Sequence, residues 1–175
     1  MDFYFIIVQA IGFLAFGLSL WSYQFKSQKV MFGINALTDA IWTVHYFFLN
    51  AYHVALTVLI AAIRTTLCVF VIPKYKVAIV ALGIIIAWII CTFFYLQTNN
   101  VLDLLPAVTG IVYGLSTYFH EDYMKSRLLM VLGKILWIVI GCLSGSIAEI
   151  ISSSMALGSI ILGYVRHKKY LDNCE

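Results

Sequence analysis

The sequence predicts an all-α polytopic membrane protein, with seven transmembrane helices arranged as a 3+1+3 parallel repeat. Composition is the first reason: of 175 residues, 63% are hydrophobic and 11% charged, with a mean hydropathy of +0.98, whereas a soluble domain is about 25% charged. Length is the second. The apolar residues fall in runs of roughly 18 to 22, each enough to carry a helix across ~30 Å of hydrocarbon, and their unbroken apolarity favours helices over a β-barrel. The third is that lysine and arginine gather on one side of these spans.

The first span covers about Phe3 to Tyr23. No small-residue cleavage site follows it, and polar Gln9 and Ser19 punctuate it, so it reads as a spanning helix and not a removable signal. Gly12 and Gly17 let a neighbouring backbone approach. A basic loop, Lys26 to Lys29, leads to the second span, about Val30 to Leu49. The third follows the Asn50 to His53 turn and stops near Pro73, which cannot continue the backbone ladder. After the basic loop Lys74 to Lys76, the fourth span, about Val77 to Leu96, is the most uniformly apolar and has a lipid-facing profile. The fifth carries Pro106 in its first turn and ends near Phe119. A charged loop leads into the sixth span, about Arg127 to Leu143. The seventh, about Ile147 to Val165, carries a ridge of Ser152, Ala156, Ser159 and Gly163. The resulting units are 1–73, a first three-helix bundle; 74–100, a linker helix; 101–166, a second three-helix bundle; and 167–175, a basic cytoplasmic tail.

A shift of about 95 residues lays the first three spans on the last three. It places Asp39-Ala-Ile-Trp42 over Lys134-Ile-Leu-Trp137. Two three-helix units can point the same way only if an odd number of helices separates them, and the fourth span supplies one. Parallel repeats of this kind hold a site near the bilayer midplane between them.

Charges inside the spans point to that site, because an ionisable group at the bilayer centre costs roughly 2.5 to 3.5 kcal/mol on insertion scales unless it is paired or faces water. Asp39, Arg64 and Lys134 each lie about ten residues below a span end, hence ~15 Å deep at ~1.5 Å per residue. Asn35, Thr38, Asp39, Trp42, His45 and Tyr46 recur at spacings of three and four, a polar and aromatic stripe on one helix face. Thr57, Ala61, Arg64, Thr65 and Cys68 do the same on the third span. The candidate substrate-binding residues are Asn35, Asp39, Trp42, His45, Arg64, Lys134, Trp137, Ser152 and Ser159, with Glu149 as a gate at the outer mouth. Asp39, Arg64 and Lys134 sum to a formal charge of about +1, which an anion would complete; arginine's planar fork suits a carboxylate or phosphate.

No phosphate-binding glycine loop, zinc-ligand spacing or serine elbow occurs. The four cysteines, Cys68, Cys91, Cys142 and Cys174, show neither metal-ligand nor paired spacing. Catalysis, a metal and a cofactor are therefore not expected. The basic tail suits topology or anionic lipid headgroups better than nucleic acid. The expected partners are the lipid bilayer, a small-molecule substrate and, as a further option, a second copy of the chain in a homo-oligomer.

The segments Gln9-Ala-Ile-Gly12, His45-Tyr-Phe-Phe-Leu-Asn-Ala-Tyr52, Ala62-Ile-Arg64-Thr65, Leu105-Pro106 and Gly145-Ser-Ile with Glu149 resemble the Imp-YgjV family of bacterial inner-membrane proteins. The architecture is also similar to SWEET sugar carriers, PQ-loop proteins and nicotinamide riboside carriers, where a three-helix unit is duplicated around a linker helix. In SWEET carriers, tryptophans on helices 2 and 6 and asparagines on helices 3 and 7 line the cavity. Trp42 and Trp137 match the tryptophans, whereas Arg64 and Ser159 stand where the asparagines would be, and the Pro-Gln motif of the first helix is missing. The resemblance implies a bacterial inner-membrane protein of transporter-like architecture, the intramembrane charges and the repeat point to a small-solute transporter or facilitator, and the charge count favours a small organic anion or zwitterion over a neutral sugar. The competing reading is a non-transporting receptor or interaction protein whose core is closed by salt bridges.

In the seven-span arrangement, nine of the eleven basic residues fall on one side, and the remaining two are Arg64 and Lys134. The positive-inside rule then puts the amino terminus outside and the carboxyl terminus in the cytoplasm. Reporter fusions at Lys74 and Glu175 are both expected to report cytoplasm, and a periplasmic signal at either position contradicts the arrangement.

Overall fold

The computed structural model describes residues 3–22, 28–71, 73–119 and 123–172. Seven α-helices dominate: α1 (Phe3–Ser22), α2 (Gln28–Phe48), α3 (Tyr52–Thr66), α4 (Lys76–Thr98), α5 (Leu105–Tyr118), α6 (Tyr123–Ser144) and α7 (Ile147–Asp172). No strand occurs among the described residues. Lys26, Cys174 and the loop at 120–122 lie outside them.

Among the described residues, four segments are both long and apolar enough to cross a bilayer: Phe3–Ser22, Lys76–Thr98, Val101–Tyr118 and Lys125–Ser144. The apolar parts of α3 and α7, Tyr52–Thr66 and Ile147–Ile161, are shorter, and α2 carries Asp39 and His45 within its length. Helix ends run beyond the apolar runs where interfacial residues keep helical geometry. Lys29 falls in the first turn of α2, α6 takes in Lys125 and Arg127, and α7 continues through the basic residues to Asp172. At α3 the α-helix gives way before Pro73 to a π-turn, Leu67–Val71, immediately after the turn that carries Arg64. Such single π-turns widen a helix locally and recur beside functional sites.

Each helix packs on the next in sequence, α1 closes on α7, and α3 also meets α5. One end of this ring is marked by the α2–α3 and α6–α7 turns. There the Tyr4 hydroxyl donates to the Phe48 carbonyl at 2.7 Å, and His53 lies 3.6 Å from Asp103. At the opposite, basic end the Lys76 ammonium donates to the Tyr118 carbonyl at 2.8 Å. A core of Trp42, Tyr46, Val54, Val58, Ile140 and neighbouring alanines fills the turn end. Outward, rows such as Ile85, Ile89, Phe93 and Leu96 on α4 and Leu128, Leu132, Ile135 and Val139 on α6 are exposed. Continuous apolar rows of this kind suit acyl chains and not water.

The fourth helix keeps a lipid-facing row and adds an inward face. Val80, Gly83, Ala87 and Cys91, at spacings of three and four, are buried, so α4 has an inward face that its uniform apolarity conceals.

The two marked turns are built alike. Asn50 (φ 60°) and Gly145 (φ 68°) take left-handed conformations. Ala51 N–H donates to the Tyr46 carbonyl at 3.1 Å and Ser146 N–H to the Gly141 carbonyl at 2.9 Å, the six-to-one bond of a Schellman turn. All three pairs of positions are 95 apart, the shift that superimposes Trp42 on Trp137.

Close packing at the turn end rests on Gly12. A Cβ there would lie 2.6 Å from the Ala148 Cβ and 2.8 Å from the His45 Cε1, whereas one at Gly17, in the same helix, meets nothing within 4 Å. Overpacking of this kind costs about 1–3 kcal/mol. Gly12→Ala is expected to lower the melting temperature of the purified protein by several degrees, with Gly17→Ala at or above wild type; equal melting temperatures for both contradict the packing role.

Candidate functional site

The two sequence stripes face one another across an internal cavity of about 140 Å³. From α2 it is lined by Asn35, Thr38, Asp39, Trp42 and Tyr46, and from α3 by Thr57, Ala61, Arg64 and Thr65. These spacings of three, four and seven put each set on a single helix face. The sixth helix adds Met130, Lys134 and Trp137 on the same logic, α7 adds Glu149 and Ile160, and α4 and α5 add Gly83, Ala87, Thr109, Gly110 and Tyr113 among others. The cavity runs from Ser19 and Asn35 toward the basic end up to Tyr46 and Glu149 near the turns.

An aromatic layer shuts it at the turn end. Tyr46 is fully buried and stacks at a tilt between Trp42 and Trp137, with ring centroids 6.0 and 5.9 Å apart. The Tyr46 hydroxyl lies beside Glu149 and Ser146 but has no well-formed hydrogen bond.

Four charged side chains line the cavity: Asp39, Glu149, Arg64 and Lys134. Lys134 is the strongest charged neighbour of both Asp39 and Glu149, while Arg64 is the second cation acting on Asp39. Along the bundle, Glu149 stands in the first turn of α7, at the turn end, and Arg64 in the last turn of α3, toward the basic end, with Asp39 and Lys134 midway along α2 and α6. Arg64 is 5% exposed. One of its terminal nitrogens, Nη1, donates to the Gly110 carbonyl at 3.2 Å, and its Nε has no hydrogen-bond partner. Its aliphatic stem lies on Gly83, where a Cβ would stand 3.2 Å from Cδ. The one glycine of α4 thus makes room for the guanidinium arm.

Several predicted positions change role. Glu149, expected as a gate at the outer mouth, is 4% exposed and lines the cavity itself. It accepts a hydrogen bond from Ser153, and it brings the formal charge of the lining from +1 to zero. Ser159 is exposed, and its neighbour Ile160 faces the cavity; with a short side chain it has no reach to match that of Arg64. Ser152 is buried outside the lining, one residue from Ser153, which carries the contact to Glu149.

His45 also leaves the site. Its Nδ1 lies 2.8 Å from the Val8 carbonyl, an acceptor only, so Nδ1 carries the proton. Neutral imidazole then accepts at Nε2 from the Ser146 hydroxyl at 2.7 Å. The Ser146 oxygen in turn accepts from the Glu149 N–H at 3.1 Å. Beside this chain Gln9 donates to the Gly145 carbonyl at 3.2 Å and accepts from the Ala148 N–H at 3.1 Å. The result is a buried polar knot joining α1, α2 and the start of α7 behind the aromatic layer. Sequence spacing alone does not single out Gly83, Gly110 and Tyr113, and the candidate residues do not include Tyr46. Tyr46 stood on the α2 stripe one turn from Trp42, and that signal was available. Among the described residues no three His, Cys, Asp or Glu side chains converge as metal ligands would.

The family model for Imp-YgjV, bacterial inner membrane protein, matches residues 6–170. No curated protein matches the chain. No solved structure matches either, so that comparison gives the wider SWEET-like resemblance no support.

The knot makes a measurable demand. Loss of a buried partner costs about 1–3 kcal/mol, and two residues that share one bond couple by about 0.5–3 kcal/mol. His45→Ala and Ser146→Ala are each expected to destabilise the protein, with the double variant less unstable than the sum of the two. Strict additivity in thermal or denaturant unfolding contradicts the bond.

Proposed function

We propose that this chain, which belongs to the Imp-YgjV family of bacterial inner-membrane proteins, is a carrier or facilitator that passes a small charged solute through the cavity between its two three-helix groups. The observation that carries this reading is the cavity lined by two acids and two bases drawn from α2, α3, α6 and α7. Charge in a membrane interior is expensive and is found where substrates or ions pass. Its volume of about 140 Å³ holds about five waters at ~30 Å³ each, which corresponds to a small solute of roughly six to eight heavy atoms.

The full architecture proposed with it has seven spans, 3+1+3, amino terminus outside. The matched Schellman turns 95 positions apart support the repeat. The fifteen α residues of α3 with the five of the π-turn reach the ~20 that a span requires. The charge split supports the orientation. In this frame the aromatic layer and the His45 knot close the periplasmic side. The solute is a small organic anion or zwitterion.

Two-sided access separates a carrier from a receptor with a sealed core. In a background lacking Cys68, Cys91, Cys142 and Cys174, Asn35→Cys near the basic end and Thr57→Cys nearer the turns are expected to react with impermeant thiol reagents from opposite membrane sides. Modification of one is expected to exclude modification of the other. Access from a single side, or from neither, removes the carrier reading in favour of a receptor.

A further inference from the structure

We infer that the solute is a zwitterion whose ammonium and carboxylate stand at opposite ends of the molecule, the ammonium at Glu149 under the aromatic layer and the carboxylate at Arg64. This deepens the carrier reading and rests on it for the location of the site.

Charge balance gives the class. The lining holds two acids and two bases, so the empty cavity is formally neutral, and an ion of either sign would leave an uncompensated charge in a low-dielectric interior. A net-neutral solute leaves the balance intact. A solute without charges would gain nothing from the four groups.

Position gives the shape. Glu149 stands in the first turn of α7, at the turn end, and Arg64 in the last turn of α3, toward the basic end, with Asp39 and Lys134 midway along α2 and α6. A solute with a positive and a negative end places its ammonium at Glu149 and its carboxylate at Arg64, while Lys134 and Asp39 keep one another's charge between them. A molecule with both charges on one carbon does not reach both ends.

The ends are suited to these roles. Arg64 has Nη1 engaged with the Gly110 carbonyl and its buried Nε unpartnered, so the guanidinium retains unused donor capacity. Glu149 lies beside Tyr46, which stacks against Trp42 and Trp137, and aromatic faces attract an ammonium. The internal repeat points the same way. Asp39 and Lys134 occupy equivalent positions in the two halves, each one turn from a tryptophan, and carry opposite charges. A frame that is alike in shape and opposite in sign fits a molecule with unlike ends.

Four five-carbon probes test the inference on the full-length purified protein by ligand-induced thermal stabilisation. They are 5-aminopentanoate, its isomer norvaline with both charges on one carbon, pentanoate and pentylamine. We expect 5-aminopentanoate to bind at least about tenfold more tightly than the other three, a factor that one partnered charge readily supplies. Ratios within a single variant remove any loss of folding from the comparison. In Glu149→Gln the preference for 5-aminopentanoate over pentanoate is expected to collapse, and in Arg64→Gln the preference over pentylamine. Equal stabilisation by pentanoate or norvaline in the wild type, an unchanged ratio in Glu149→Gln, or no stabilisation by any of the four overturns the inference. The carrier reading fails separately: one-sided cysteine access with the expected probe ranking leaves a zwitterion receptor, and alternating access with the wrong ranking leaves a carrier for another solute.

Discussion

Every ionised group held within a bundle of apolar helices must keep a counter-charge or a dipole beside it, and this requirement shapes more of the molecule than any single hydrophobic contact. Arg64 illustrates it. The side chain is almost wholly buried, so its stem needs a trough, which Gly83 provides, and its fork needs an acceptor, which the Gly110 carbonyl supplies, with the charge of Asp39 acting on it across the cavity. The apparently featureless α4 and the start of α5 are thereby drawn into the site. The same demand brings Glu149 opposite Lys134.

The turn end answers a different demand, that of excluding solvent without hydrophobic drive from the surrounding lipid. Small residues and satisfied polar groups do this work in membranes. Gly12 lets α1 lie against α7 and His45, and the chain from the Val8 carbonyl through His45 and Ser146 to the Glu149 amide leaves each of these contacts satisfied. Because the last member of that chain is the amide of a residue whose carboxyl lines the cavity, the closed end and the cavity lining share one stretch of backbone. Separation of α7 from α2 at this end moves Glu149 as well.

Much of this was legible in the sequence, and the failures have identifiable causes. Apolar run length gave the helices, and the spacing of Asn35, Asp39, Trp42 and of Thr57, Ala61, Arg64 gave two faces that do meet at one cavity. Depth counted from a helix end misplaced Glu149, because a cavity that extends to within a turn of that end was not anticipated. His45 has the right spacing for the site, yet its acceptor and donor sit on other helices, which no local pattern reveals. The inward role of α4 is hidden because a glycine that faces a cavity and one that faces lipid look alike in an apolar run. Ser159 was carried over from Arg64 by the repeat, and a repeat conserves backbone positions without conserving side-chain reach.

The tight turns at Asn50 and Gly145 have a consequence for biogenesis. Each joins two helices into a hairpin, α2 with α3 and α6 with α7. The first hairpin contains Asp39 and Arg64, and the second contains Lys134 and Glu149. A lone charged helix is costly to release from the insertion machinery into lipid, but a hairpin delivered as one piece brings an acid and a base together. On the seven-span reading proposed above, each of these two hairpins would enter the bilayer with its own acid and base together, so the charges that line the cavity would also lower the cost of inserting the helices that carry them.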